Sequence, residues 1–397
     1  MTMTIVAAFL VSLPVLYRLV SSSPAPATRR RAERSSLPAP LAYPSSDIRL
    51  ACFAPFASTP PRTGSAALVG SYANKFVFTS PALTTMNSEA FSRMVGRRTV
   101  RDVVGGEHAR VRAMMVQFLR LDAVKRQVAG MDAEVAGMEL SAEFQQLVQG
   151  IWAVPLNLPF TRRAKLERGE SSPADDIITH MLSKGLPDKE TKNVMFLLVA
   201  EHNTTAALIT FLLRHLDTKK DAYAKVLQEQ EEIARCKASG EALSWDDLCR
   251  MRYTWAAAME TLRMVPPAFS MLRKALQDVE YGGYVIPKGW QVMYATNMTH
   301  WSPAIFPDPG RFDPARFEDP SAIPPYGFVP LGGGARICPG NEFAMVETLV
   351  AVHHIVTRFR WKLAAGCDGS FSRSPMPYPS QGLLIDIEPI HQGNTSR

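Results

Sequence analysis

The chain has 397 residues, of which 46% are hydrophobic and 20% charged, so it can bury a sizeable core and, at roughly 150 residues per domain, hold two or three domains. Its net charge is +7, but Arg18, Arg29, Arg30, Arg31 and Arg34 against Glu33 alone place +4 of it in the first 46 residues and leave +3 for the rest. A body so close to neutral excludes the electrostatic footprint of a nucleic-acid binder, and five scattered cysteines with no C-x-x-C pair exclude a disulfide framework or a zinc cluster.

Residues 1–17 form an apolar stretch, interrupted by Pro14 and ended by Arg18. It is shorter than the roughly 20 residues of a spanning helix, which leaves a signal or transit peptide open. No convincing small-residue cleavage site follows, and the arginines at 29–31 fit an uncleaved anchor with its charges on the cytoplasmic side, so residues 1–20 are read as a membrane anchor. Residues 21–64, rich in Ser, Pro and Ala, show no helical or strand period and read as a linker. Residues 65–397 read as the globular part. Periodicity and flanking signals predict helices over 107–120, 191–217, 221–237, 244–264 and 340–358, with short strands around the turns of 282–289 and in 292–295. The fold class is therefore mainly α with a small β-sheet region.

Four constellations lie on these elements. Gly106-Glu-His-Ala-Arg-Val-Arg112 puts His108 and Arg112 at i, i+4 near a helix start, where both can face one anionic group. The apolar helix over 191–217 is interrupted by Glu201-His-Asn-Thr-Thr205, and polar groups in such a run need a partner or a purpose. Glu260 and Arg263 stand at i, i+3 on one helical face; alone this spacing is an ordinary surface ion pair, but Pro266-Pro267 closes the helix and Phe312-Asp-Pro-Ala-Arg-Phe317 follows. Last, Gly332-Gly-Gly334 precedes Arg336, Cys338 and Gly340, and an apolar-periodic helix begins at once. Backbone N–H groups at such a helix start stabilise a thiolate, and glycines let those donors approach the sulfur. A phosphate loop is excluded because no Lys-Ser/Thr follows the glycines. Glycines alone would leave Cys338 a buried hydrophobe; the joint spacing of Gly334, Arg336, Cys338 and Gly340 is what is specific.

With that loop the chain resembles the cytochrome P-450 family, whose haem loop has the form F-x-x-G-x-R-x-C-x-G, with Leu331 here at the phenylalanine position. The resemblance implies the P-450 fold and haem b, with Cys338 as the iron ligand, Gly334 and Gly340 shaping its loop, and His108, Arg112, Arg273 and Arg336 toward the propionates. His108 takes the place of the tryptophan in the usual W-x-x-x-R. It further implies that Glu260, Arg263 and Arg316 interlock as a structural triad. The family's A/G-G-x-D/E-T-T stretch is matched by Ala200, Thr204 and Thr205, while Glu201 stands at the glycine and Asn203 at the acid; proton delivery falls to Thr204 with Asn203 or Glu201. Substrate contacts are implied for Ala200 and the loop Ala268-Phe269-Ser270.

The stretches Ala73-Asn-Lys-Phe-Val-Phe78, Val154-Pro-Leu-Asn-Leu-Pro159, Ile286-Pro-Lys-Gly-Trp290 and Pro375-Met-Pro377 are most similar to the plant branch that oxidises triterpenoids and sterols. The implied activity is a monooxygenase acting on a bulky apolar terpenoid or sterol, taking electrons from a NADPH-dependent reductase. Its expected place is the endoplasmic reticulum membrane with the catalytic domain in the cytoplasm, or else a plastid, as a monomer that binds no nucleic acid. Two alternatives stand beside it. Asn203 favours a haem-thiolate isomerase or dehydratase that uses no oxygen. The short passages from Val135 to Leu140 and from Pro159 to Arg162, where the family has further helices, favour a catalytically inactive haem binder.

Overall fold

The structure, a computed structural model, describes residues 65–86, 99–136, 165–172, 177–184, 191–367, 369–373, 376–380 and 382–390. The expected anchor and linker, residues 1–64, lie outside the described residues. In chain order the elements are β1 (Ser65–Leu68), α1 (Ser71–Thr79), β2 (Leu83–Thr85), α2 (Gly105–Leu119), α3 (Leu121–Ala136), α4 (Ile177–Ser183), α5 (Thr191–Thr218), α6 (Lys220–Arg235), α7 (Trp245–Arg250) and α8 (Arg252–Met264). Then come β3 (Met271–Ala275), β4 (Val279–Tyr281), β5 (Tyr284–Ile286), β6 (Gln291–Tyr294), α9 (Thr296–His300), α10 (Asn341–Arg358), β7 (Phe359–Leu363), β8 (Phe371–Arg373), β9 (Pro377–Pro379) and β10 (Ile385–Pro389).

The core follows from helical periodicity. Leu208, Phe211, Leu212 and Leu216 recur at three- and four-residue intervals on α5 and are almost fully buried against Ala257, Ala258 and Leu262 of α8 and Val352, Ile355 and Val356 of α10. The front half of α10 turns Val346, Leu349 and Val350 toward Val124 and Val128 of α3 and Leu248 and Met251 beside α7. Helix α10 is thus held by one cluster along each half, and this fixes the direction in which the loop before it emerges.

The largest sheet has the order β1-β6-β3-β2, with β1 parallel to β6 and the other pairs antiparallel. In the β3–β6 register Met271 faces Tyr294 and Arg273 faces Val292, so all four side chains share one side of the sheet. The turn at Gly282 and Gly283, with φ of 60° and 81°, joins β4 to β5 as the tight hairpin that the glycine pair predicts.

Three expectations change. The single helix over 244–264 is two, broken at Met251 (φ −76°, ψ 50°), although neither Gly nor Pro is there. Ser244 and Asp247 form a capping box that starts α7, whereas the first N–H groups of α8 are taken by a neighbour: Tyr253 and Thr254 donate to Glu229 of α6 at 2.7 and 2.8 Å. Helices α1, α3, α4 and α9 were not expected. The sheet is also wider than the segment around 282–295, because it recruits β1 and β2 from far upstream.

Candidate cofactor-binding site

The loop before α10 holds Cys338. Its N–H donates to Leu331 O at 2.9 Å, closing the loop on itself, and Gly340, at the helix N-cap, turns its N–H to the cysteine sulfur. Burial pushes the Cys338 thiol up, while the Gly340 N–H and the Arg112 guanidinium pull it down; burial wins. The donors expected around a thiolate are therefore present, but the protein alone keeps the sulfur protonated, and a coordinating metal ion would deprotonate it. Cys338 is packed deep yet keeps a partly open face.

The other glycines serve a different contact from the one expected. Gly334 has φ +63°, and a Cβ there would run into the Phe78 carbonyl; one on Gly333 would lie 2.6 Å from Phe78 Cδ2. They let the end of α1 press against the loop. Their approach is to Phe78 and not to the sulfur.

Cations converge on this loop. Arg336 donates from Nη1 to Val100 O at 2.9 Å and from Nη2 to Val103 O at 2.7 Å, tying the loop to the turn before α2. On α2, His108 and Arg112 follow one turn apart. His108 is lowered to about 4 by burial, with Arg336 and Arg112 adding to the effect, so its ring is neutral. Arg273, 5% exposed on β3, lies over the Tyr294 ring at 5.3 Å and donates from Nη1 to Leu272 O at 3.3 Å. Burial lowers Arg336, and Arg273, Arg112 and Arg101 lower it further. Among the described residues no carboxylate forms an ion pair with Arg112, Arg273 or Arg336. Arg273 is buried and Arg112 and Arg336 half-buried, and guanidiniums that repel one another at such depth are costly, a cost that an anion among them removes. Also among the described residues, no three His, Cys, Asp or Glu side chains cluster as metal ligands.

The remaining sites are as follows. Glu260, Arg263 and Arg316 meet: Arg263 donates bidentately to Glu260 at 2.7 and 2.9 Å, both side chains fully buried, and Arg316 Nε stands 3.6 Å from Glu260 Oε1. Arg263 also donates to the carbonyls of His300, Pro309 and Arg311, and Glu260 accepts the N–H of Asp313, so the cluster fastens α8 to the segment leading to the cysteine loop. Burial raises Glu260 despite Arg263 and Arg316. On α5, Thr204 Oγ1 donates to Ala200 O at 2.7 Å, Ala200 and Asn203 are half-buried, and the Glu201 side chain lies outside the described residues. Ala268 and Phe269 are half-buried between α8 and β3, the Phe269 carbonyl accepting from Asn297 N at 3.2 Å. Sequence reasoning missed Arg101 and Tyr294. Arg101 stands in the basic run Arg97-Arg98-Thr-Val-Arg101, a signal that was there to be used; nothing in sequence marks Tyr294.

Three comparisons bear on this geometry. The model of the family described as Cytochrome P450 matches residues 141–386. A beta-amyrin 28-monooxygenase of Kalopanax septemlobus is 37% identical over 280 residues, covering 63% of this chain and 58% of that protein; the chain thus spans less than two thirds of that relative's length. A beta-amyrin 16-beta-monooxygenase of Platycodon grandiflorus is 32% identical over 397 residues, covering 81% of this chain and 82% of the relative. Since 81% of 397 is about 322, roughly 75 aligned positions of that relative have no counterpart here. Among solved structures, retinoic acid bound cyanobacterial CYP120A1 shares the fold, with a TM-score of 0.68, 23% identity and coverage of 83% of this chain and 90% of that one.

Proposed function

The chain belongs to the cytochrome P450 family, and on that premise we propose that it is a haem-thiolate monooxygenase that inserts one atom of dioxygen into a triterpenoid or sterol. The family implies haem, and the site suits it. Haem b carries two carboxylates and brings four nitrogen ligands of its own, which matches arginines with no carboxylate paired to them among the described residues beside a single, partly exposed cysteine. That unneutralised cluster is the observation that carries the reading.

Cys338 ligates the iron and Arg112, Arg273 and Arg336 hold the carboxylates, with His108 as a neutral donor and Gly334 and Gly340 shaping the loop. When bound, the haem supplies oxygen activation, its thiolate ligand favouring O–O cleavage. Glu260, Arg263 and Arg316 brace the loop from behind. Thr204, with Asn203 or Glu201, passes protons; Ala200, Ala268 and Phe269 face the substrate. The two relatives' names support a triterpenoid as that substrate. Electrons come from NADPH through a reductase, and residues 1–20 hold the domain, residues 65–397, on the cytoplasmic face of the endoplasmic reticulum membrane. No described helix is long and apolar enough to cross a membrane.

Asn203 favours a second reading, since an amide orients water but transfers no proton at neutral pH. On it, the site rearranges or dehydrates an oxygenated lipid without oxygen. The test of the cofactor is the reduced, carbon-monoxide difference spectrum of the purified chain and of Cys338→Ala: a thiolate-type band lost in the variant is expected, and identical spectra refute the proposal. Turnover that consumes neither NADPH nor oxygen selects the second reading.

A further inference from the structure

The arginine cluster contains a group to which the reading above gives no task. Tyr294 on β6 is 4% exposed and shares a sheet face with Met271 and Arg273. The Arg273 guanidinium stacks over its ring and interacts with its hydroxyl, and Arg101, whose Nη2 lies 3.8 Å from Met271 Sδ, adds positive potential from the turn before α2. Phe78 meets the ring edge-on with centroids 4.9 Å apart, and a Cβ on Gly332 would stand 3.8 Å from the hydroxyl. The hydroxyl therefore lies at the junction of the sheet, α1 and the cysteine loop. A phenol oxygen that accepts from a guanidinium still has its own proton to give. Burial raises Tyr294 against the pull of Arg273 and Arg101, so that proton is retained.

We propose that Tyr294 is a positioning residue of the cofactor site: it fixes Arg273 by stacking and by accepting an N–H, and its own O–H is left to donate to the carboxylate that Arg273 neutralises. A neutral donor does here what a further arginine could not, because it adds a hydrogen bond without adding to the repulsion among Arg101, Arg273 and Arg336. This inference rests on the haem reading.

Its test crosses two variants with two cofactors. Tyr294→Phe keeps the ring, its packing on Phe78 and the stacking under Arg273. It is expected to retain the thiolate-type carbon-monoxide band but to release haem to an acceptor globin about tenfold faster than the native chain, the scale of one hydrogen bond to a charged group. With haem dimethyl ester, whose carboxylates are masked, that ratio is expected to fall to about one. No acceleration with haem, or equal acceleration with both cofactors, overturns the proposal. Arg273→Gln goes through the same cycle, and an effect indifferent to esterification overturns it even where Tyr294→Phe does not fold. A native chain that takes up neither cofactor removes the haem reading and this proposal together, whereas failure at Tyr294 alone leaves native uptake intact.

Discussion

Two groups of arginines, each with one buried member, flank the segment that carries Cys338, and they are built on opposite electrostatic plans. In one, Arg263 is fully buried, but Glu260 meets it bidentately, three backbone carbonyls take its remaining N–H groups, and Arg316 approaches the same carboxylate. In the other, carbonyls hold Arg273 and Arg336, the Tyr294 ring lies under Arg273 and Arg112 stands near Cys338, with no carboxylate paired to the three among the described residues. A buried guanidinium met by a carboxylate and three carbonyls has little left to bind and acts as a brace. An unbalanced one stores electrostatic strain that an anionic ligand relieves, which is what a binding site requires.

The largest effect should come from unbalancing the brace. Glu260→Ala strands Arg263 in the interior and is expected to cost about 3–5 kcal/mol of folding stability, read by denaturant unfolding, because removing one partner of a buried pair leaves an uncompensated charge. A loss below about 1 kcal/mol would mean that water reaches Arg263 and that the pair behaves like a surface one.

The converse change in the other cluster should behave differently. Arg273→Gln removes a buried cation that has no paired carboxylate among the described residues, so the stability of the cofactor-free protein is expected to hold or rise. Haem affinity should fall by about 1.5–3 kcal/mol, the worth of hydrogen bonds to charged groups. If the cofactor-free protein instead loses as much stability as it does on Glu260→Ala, the distinction between the clusters is gone.

Histidines sharpen the comparison with a smaller, graded effect. His215 and His300 are lowered to about 3 and His353 to about 4, each chiefly by burial; His300 Nε2 accepts the Val329 N–H and His353 Nδ1 lies 2.8 Å from Gln230 Oε1. They stay neutral in the folded protein while the unfolded chain takes up protons below about pH 6.5. Their contribution is thus complete above pH 6.5 and drains away as pH falls toward 4 and 3, by up to about 1.4 kcal/mol per pH unit for each histidine. Unfolding measured from pH 7 to pH 4 should show this slope. A flat profile would place these rings in contact with solvent.

Those parts of the candidate site that lie close together in sequence were legible there. The spacing of Gly334, Arg336, Cys338 and Gly340 marks the loop, and the Glu260/Arg263 interval with the later Arg316 marks the brace. The helices on α5, α6 and α10 follow from periodicity, and the hairpin from Gly282-Gly283. The break at Met251 was not legible: no Gly or Pro announces it, and the carboxylate that takes up the first N–H groups of α8 is Glu229, more than twenty residues upstream. The purpose of Gly333 and Gly334 was misread for a similar reason, since the neighbour that forbids a side chain there is Phe78.

The sequence by itself determined which chemistry the chain can carry, because ligand type, loop spacing and helical period are properties of short stretches. Only the tertiary structure decided how charge is distributed: that Arg263 has a carboxylate, that Arg112, Arg273 and Arg336 share a neighbourhood with none paired to them among the described residues, and that Tyr294 stands among the cations. Coulomb energy depends on distance and burial, and chain contacts between residues as far apart as 101, 112, 273 and 336 set both.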